Sequence, residues 1–117
     1  MTAGCAAGAV VLARVVVAGR SMVPTLLPGD RLLVVRLPGW WPLRGGSLVA
    51  VRDPRRSERL LIKRLSVSGP RTVVVLGDNL AESTDSRELG PLPRRSVVGV
   101  AWYRYAPPER AGRLHRT

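Results

Sequence analysis

The stretch Leu60-Leu61-Ile62-Lys63-Arg64-Leu65-Ser66-Val67 is a mainly apolar run between two turn signals, Asp53-Pro54 and Ser68-Gly69-Pro70. Aliphatic runs of this length bounded by Gly and Pro are typical of β-strands. Side chains alternate along a strand, so Leu61, Lys63 and Leu65 should share one face. A lysine on such a face has two interpretations: its stem packs while the ammonium group reaches water, or the amine is buried and its pKa falls.

Five further segments have the same character, and the sequence therefore predicts a mostly β protein. They are Val10 to Val17, Arg31 to Leu37, Ser47 to Arg52, Thr72 to Leu76 and Val97 to Tyr105. Turns containing Gly or Pro separate them, and no stretch of a dozen residues shows helical periodicity. We predict one small coiled or barrel-like β-domain over residues 10–106, preceded by an N-terminal lead over residues 1–9 and followed by a basic disordered tail over residues 107–117.

The positive charge of the chain comes almost entirely from arginine. Of the 19 basic residues 18 are arginine, Lys63 is the single lysine, and the formal net charge is +11. Such a charge fits a nucleic-acid or anionic-membrane partner, but the arginines are scattered singly between apolar segments without a nucleic-acid-binding motif. We expect no specific nucleic-acid partner, and we attribute the arginine bias to GC-rich coding.

Two residue types that often carry chemistry occur once each. A single cysteine, Cys5, permits no intramolecular disulfide and no metal site of the multi-cysteine type, so we expect neither a metal nor a cofactor. The single histidine, His115, lies in the arginine-rich tail. A hydrolase built on this chain would therefore work without a Ser/His pair, unless the tail folds back over its site.

Membrane contact has two candidate segments. Ala6 to Ala18 is apolar except for Arg14, but 13 residues are fewer than the roughly 20 that a spanning helix needs. We expect no transmembrane anchor in this chain and a location in the cytoplasm or at the periphery of the cytoplasmic membrane; a start site further upstream would leave room for an anchor. Trp40-Trp41, at a predicted loop tip, is either a lid on the core or a contact with a membrane interface or substrate.

The candidate nucleophile is Ser21, which follows the first β-branched strand. Pro24 prevents simple continuation of that strand, so Ser21 should lie at its end. A serine hydroxyl becomes nucleophilic only when a base takes its proton, and the base available here is a neutral Lys63.

Four segments resemble the conserved boxes of the signal peptidase I family, in the family's order. Ser21-Met22-Val23-Pro24-Thr25-Leu26 with Gly29-Asp30 is similar to its nucleophile box, and Arg44-Gly45-Gly46-Ser47-Leu48-Val49-Ala50-Val51 to its second box, in which Ser47 replaces the usual Asp. Ile62-Lys63-Arg64 is similar to its general-base box. Gly77-Asp78-Asn79-Leu80-Ala81-Glu82-Ser83-Thr84-Asp85-Ser86-Arg87-Glu88-Leu89-Gly90-Pro91-Leu92-Pro93 matches its last and most specific box. The resemblance covers about Val15 to Trp102 and implies the mostly β catalytic core shared with LexA-like proteins.

The resemblance implies a serine peptidase with a Ser/Lys dyad. Ser21 would be the nucleophile, and Lys63 the general base that later protonates the leaving amine. Ser83 would orient the Lys63 amine through a hydrogen bond.

Other roles follow from the same resemblance. Asp85 and Arg87 would be a charged pair that braces the last box, and Asp78-Asn79 would form its turn. The backbone N–H of Ser21 would contribute to the oxyanion hole.

Gly19, Met22 and Pro24 complete the expected oxyanion and substrate-binding region. Some family members carry a serine where this chain has Gly19, so the resemblance assigns no second oxyanion donor.

The implied substrate is a precursor protein with an N-terminal leader. Only 13 residues separate Arg64 from Asp78, so the inserted β-domain of many bacterial members is absent and the chain is a minimal core. Two substrates fit: a nickel-type superoxide dismutase precursor, or exported proteins cleaved after small residues by an enzyme in peripheral membrane contact. The alternatives are a LexA-like self-cleaving regulator core and a non-catalytic basic β-domain that binds polyanions.

Overall fold

A computed structural model describes residues 11–116, and strands dominate it. The strands are β1 (Val11–Val16), β2 (Arg31–Arg36), β3 (Leu48–Asp53), β4 (Arg56–Ser68), β5 (Thr72–Leu76), β6 (Leu92–Pro93), β7 (Val97–Ala106) and β8 (Gly112–Arg113). One four-residue helix, α1 (Ser86–Leu89), and short 3₁₀ helices at Leu80–Glu82, Arg94–Ser96 and Pro108–Arg110 lie between them. The prediction of a mostly β domain is confirmed. The predicted lead over residues 1–9, including Cys5, lies outside the described residues.

The strands of the described region form one antiparallel sheet in the order β1-β2-β7-β3-β4-β5-β6, with β8 added to β7. Strand β3 lies near the middle and is apolar over four successive residues, Leu48 to Val51, each at most 2% exposed. Because side chains alternate, its residues enter two cores. Leu48 and Ala50 join one cluster, with Met22 and Leu26, whereas Val49 and Val51 join the other. The sheet therefore carries packed side chains on both faces.

Pairing between β3 and β4 places the candidate base in the sheet. Val49 lies opposite Lys63, and Val51 opposite Leu61, in a regular antiparallel register. Strand β4 begins at Arg56, four residues before the predicted start. The polar segment that opens β4 has no apolar alternation that would have predicted a strand, and it is largely exposed.

The tail differs from the predicted disordered segment. Residues 108–110 form a 3₁₀ helix, β8 pairs with β7, and Leu114 packs against the core. Arg110 donates from Nη2 to Oδ2 of buried Asp30 at 2.9 Å, and Arg104 reaches the same oxygen at 3.2 Å. These ion pairs join the tail to the turn before β2, a long-range contact that local composition does not reveal.

Candidate active site

Ser21 lies in a turn that connects β1 to β2. Gly19 adopts a φ of +80°, in the left-handed region that glycine tolerates, and so redirects the chain after the strand. Met22 and Leu26 are 1% and 0% exposed and fix the turn to the core. Ser21 between these two features is half-buried and stands five residues beyond the end of β1.

Lys63 projects from β4 into a hydrogen-bonded chain of three side chains. The residue is 3% exposed, and its Nζ donates to Oγ of Ser83 at 3.0 Å. The Ser83 hydroxyl in turn donates to Oδ2 of Asp85 at 2.8 Å. Burial lowers the pKa of Lys63, since desolvation disfavours the charged ammonium; Asp85 opposes this shift, while Arg55, Arg87 and Arg59 reinforce it.

Asp85 is the anionic end of that chain. Burial opposes its ionisation, but hydrogen bonds from the Gly77 N–H, from Arg87 and from Ser83 outweigh burial and lower the pKa of Asp85 to about 2. Its Oδ1 accepts from the backbone N–H and from Nε of Arg87, at 3.0 and 3.1 Å, and so caps α1. The carboxylate is therefore charged at neutral pH and orients Ser83 as a donor toward itself.

The Gly77-Asp78-Asn79 turn holds the Ser21 turn from the other side. The Asn79 N–H donates to the Ser21 carbonyl at 2.8 Å, and the Thr25 hydroxyl donates to Oδ2 of Asp78 at 2.6 Å. Arg64 also binds Asp78, at 2.6 Å between Nη2 and Oδ2. Because Arg64 follows Lys63 on β4, it projects to the opposite face of the strand and links the general-base strand to this turn.

Gly77 lies where these segments meet. A β-carbon at this position would lie 2.5 Å from Cβ of Ser83 and 2.7 Å from the Ser21 carbonyl oxygen, and closer still to the Ser83 hydroxyl. The absence of a side chain at Gly77 thus lets the two turns approach.

Ser21 and Lys63 line two adjoining cavities, which we call the Ser21 groove. The first, of about 60 Å³, runs between the end of β1 and residues 59–63 of β4 and includes Met22. The second, of about 160 Å³, includes Gly19, Arg20, Arg59 and Glu82. Pro24 is exposed and lines neither cavity, whereas the other predicted oxyanion and substrate-binding residues do.

The groove brings together a serine hydroxyl and a lysine amine, the two groups that an amine-activated serine requires. Ser83 accepts a hydrogen bond from Lys63 and donates one to Asp85, so the lone pair of a neutral Lys63 is not used in either bond. That lone pair can accept a proton from a hydroxyl in the groove.

Comparison with known proteins agrees with the geometry. A family model described as signal peptidase, peptidase S26, matches residues 1–74 and 69–106. The chain belongs to the signal peptidase family. As a member, it is a serine endopeptidase, a hydrolase of the kind that removes leader peptides.

Plant organelle proteases are among the relatives of this signal peptidase family member. The mitochondrial ATP-independent inner membrane protease subunit 1a of Arabidopsis thaliana is 38% identical over 120 residues, an alignment that covers 82% of this chain and 71% of that protein. The chloroplastic thylakoidal processing peptidase 1 of the same plant is 36% identical over 77 residues, or 61% of this chain and 22% of that protein.

The sequence did not predict a role at the site for two groups of residues in this signal peptidase family member. Thr25 and Arg64 were inside recognised boxes, but their shared contact with Asp78 depends on chain segments more than 10 residues apart. Arg59 and Glu82 line the groove without belonging to any apolar pattern. Alternation from Lys63 is the signal that would have placed Arg59 on the same face.

The tail of the protein does fold back, but it does not bring histidine to the groove. His115 lines a different cavity, with Ser47 and Trp102, and its carbonyl accepts from Arg64 at 3.2 Å. Within residues 11–116, no helix is long and apolar enough to cross a membrane.

Proposed function

We propose that this signal peptidase family member removes N-terminal leaders from precursor proteins with Ser21 as nucleophile and Lys63 as general base. The observation that carries the proposal is the environment of the Lys63 amine. It is nearly inaccessible to water, shares a groove with Ser21 and donates to a hydroxyl whose proton is engaged by Asp85. Burial lowers its pKa, which increases the fraction of neutral amine at a given pH.

The proposed reaction begins when the Lys63 lone pair takes the Ser21 proton while Oγ attacks the scissile carbonyl carbon. The carbonyl electron pair moves to oxygen, giving a tetrahedral oxyanion that the Ser21 backbone N–H stabilises. The intermediate collapses as the C–N bond breaks and the Lys63 ammonium protonates the leaving amine. Water, deprotonated by the same amine, then attacks the acyl carbon, and the Lys63 ammonium returns this proton to Oγ of Ser21 as the ester bond breaks.

Ser83 and the charged pair at the helix start act as positioning residues in this proposal. Ser83 restricts the long Lys63 side chain to one orientation, and Asp85 determines the direction of the Ser83 hydrogen bond. Arg87 holds Asp85 in the charged form. Asp78 and Asn79 hold the Ser21 turn through Thr25 and the Ser21 carbonyl.

Family membership favours leader removal over a LexA-like self-cleaving core and over a non-catalytic polyanion-binding domain. Two precursor classes are candidates: a nickel-type superoxide dismutase with its leader, or a secretory preprotein with a small-x-small site. The first is supported by the minimal core, in which β4 and β5 are joined directly through a short turn with no inserted domain. The second is supported by relatives named as processing peptidases.

The test is cleavage of both precursors by purified protein, with new amino termini mapped by mass spectrometry. Cleavage should disappear in Ser21→Ala and in Lys63→Arg, because arginine keeps the charge but supplies no neutral base. Arg71→Gln, on an exposed residue that lines neither part of the groove, is the matched control. Leader cleavage that survived Lys63→Arg would contradict the dyad.

We also propose that the protein contacts membrane through its tryptophans. Trp40, Trp41 and Trp102 are 77%, 44% and 41% exposed, so Trp40 is not the lid on the core that was one interpretation of the sequence. Trp41 and Trp102 line a shared cavity that also includes Arg44. Indole rings beside arginine suit an anionic bilayer interface.

Vesicle flotation tests this membrane contact. The wild-type protein should float with anionic vesicles, whereas the double variant that carries Trp40→Ser and Trp41→Ser should not. Equal flotation of the two proteins would refute the contact.

A further inference from the structure

The Ser21 groove is bordered by more cations than anions. Arg20, Arg55 and Arg59 line its wider part, where Glu82 is the one acidic lining residue within residues 11–116. Two of these arginines already have a carboxylate partner. Arg20 binds Glu82 at 3.2 Å, and Arg55 binds buried Asp53 at 3.0 Å.

Arg59 is different from its neighbours. Among the described residues its guanidinium makes no hydrogen bond or ion pair, and the residue is exposed. It precedes Lys63 by four residues on β4, so Arg59, Leu61 and Lys63 project from the same face. All three line both parts of the groove. Arg59 also contributes, after burial and other charges, to the lowered pKa of Lys63, which places it within electrostatic range of the base.

We propose that Arg59 is a specificity residue that selects precursors with an acidic side chain close to the scissile bond. The inference rests on the proposed function, because it names the substrate chemistry of that same groove. A peptide bound in extended form beside β4 advances by about 3.3 Å per residue, as β4 does. Four residues of β4 separate Arg59 from Lys63, and an arginine side chain is long, so the acidic residue should lie about two to four residues from the cut.

Arg59 interacts with the Asp53 carboxylate through charge but, among the described residues, forms no hydrogen bond or ion pair, and this suits the role for an electrostatic reason. Its donors are not consumed by the protein, so a substrate carboxylate can take two parallel hydrogen bonds from the guanidinium fork. The bound peptide would cover the groove and remove water from the pair, which strengthens the attraction relative to a surface ion pair. A neutral peptide would leave the guanidinium beside the groove without that partner.

The experiment measures kcat/KM on a panel of leader peptides. The parent carries only Asn, Gln and small residues within four positions on either side of the cut, and each panel member replaces one of them by Asp, Glu or Lys. Wild type should prefer one acidic peptide over the parent by about threefold to tenfold. The ratio should fall to about 1 in Arg59→Gln and should reverse in Arg59→Glu, which should favour Lys at the same peptide position. The preference should also weaken as salt increases.

The control is Arg71→Gln, which changes net charge equally at an exposed site outside the groove and should retain the wild-type ratio. A wild-type enzyme that cleaves the parent peptide but shows no acidic preference at any position would overturn the inference alone. A preference that persists in Arg59→Gln would do the same. Failure to cleave the parent and every acidic peptide would refute the proposed function as well.

Discussion

Replacement of Gly77 by alanine should damage both catalysis and stability. The added β-carbon would lie 2.5 Å from Cβ of Ser83, about 0.9 Å inside the 3.4 Å at which ordinary contact begins. It would also meet the Ser21 carbonyl at 2.7 Å, so the Ser21 turn and the Gly77-Asp78-Asn79 turn must separate. Overpacking of this kind costs about 1–3 kcal/mol of folding free energy.

Catalysis is affected because the displaced residue orients the base. A shift of Ser83 by about 1 Å moves the acceptor that restricts Lys63, and a misplacement of that size costs about 10²-fold in rate. We therefore expect kcat/KM on a leader-bearing precursor to fall by about two orders of magnitude in Gly77→Ala.

The assay pairs kinetics with urea unfolding, so that rates are compared under conditions where both proteins are folded. Gly39→Ala is the matched control, because a β-carbon there meets nothing within 4 Å and its φ is not positive. Gly39→Ala should keep wild-type kcat/KM. A folded Gly77→Ala protein with undiminished kcat/KM would refute the proposed dependence of catalysis on the Ser83 position.

Three further predictions concern Lys63, Asp85 and Arg110. First, kcat/KM should rise with pH through a lysine pKa below the ordinary 10.5, and His115→Ala should leave the profile unchanged; a profile that follows His115 would contradict this. Second, the pKa of Asp85 falls from 3.8 to about 2 on folding, so its charge contributes about 2 kcal/mol of stability that is present above pH 4 and lost as pH falls toward 2. Urea titrations should show this loss in wild type and a smaller one in Asp85→Asn, and parallel curves would argue against it. Third, Arg110→Ala should lower the free energy of unfolding, because Asp30 keeps Arg104 and the Leu27 N–H but loses one hydrogen-bonded partner. Denaturant unfolding compared with Arg71→Ala checks it, and equal midpoints would show that the Arg110–Asp30 ion pair contributes nothing.

Most strands could be predicted from the sequence, because an aliphatic run and the turn residues that bound it lie next to each other in the chain. The β5 prediction, Thr72 to Leu76, coincides with the observed strand, and the ends of β2 and β7 differ by one residue. The opening of β4 and the folded tail were not predictable in this way. Their residues are polar, and they are held by pairing with β3 and by Arg110 with Asp30.

At the candidate site, too, local motifs were predictable from the sequence and contacts between distant segments were not. Motif order was sufficient to nominate Ser21, Lys63 and Ser83, and their roles remain predictions. The sequence did not indicate that the Asp78 turn binds Thr25, or that Arg59 borders the groove. Such contacts depend on how distant segments pack, which no local pattern encodes.

An NMR titration of the Lys63 side chain tests most directly whether this amine can act as a neutral base. Lys63 is the single lysine of the chain, so a protein labelled with ¹³C-lysine gives one Cε signal that needs no further assignment. We expect a midpoint below 10.5 in the folded protein that coincides with the rise of kcat/KM. A midpoint at 10.5 would show that Lys63 stays an ammonium group at working pH and would contradict its role as the base.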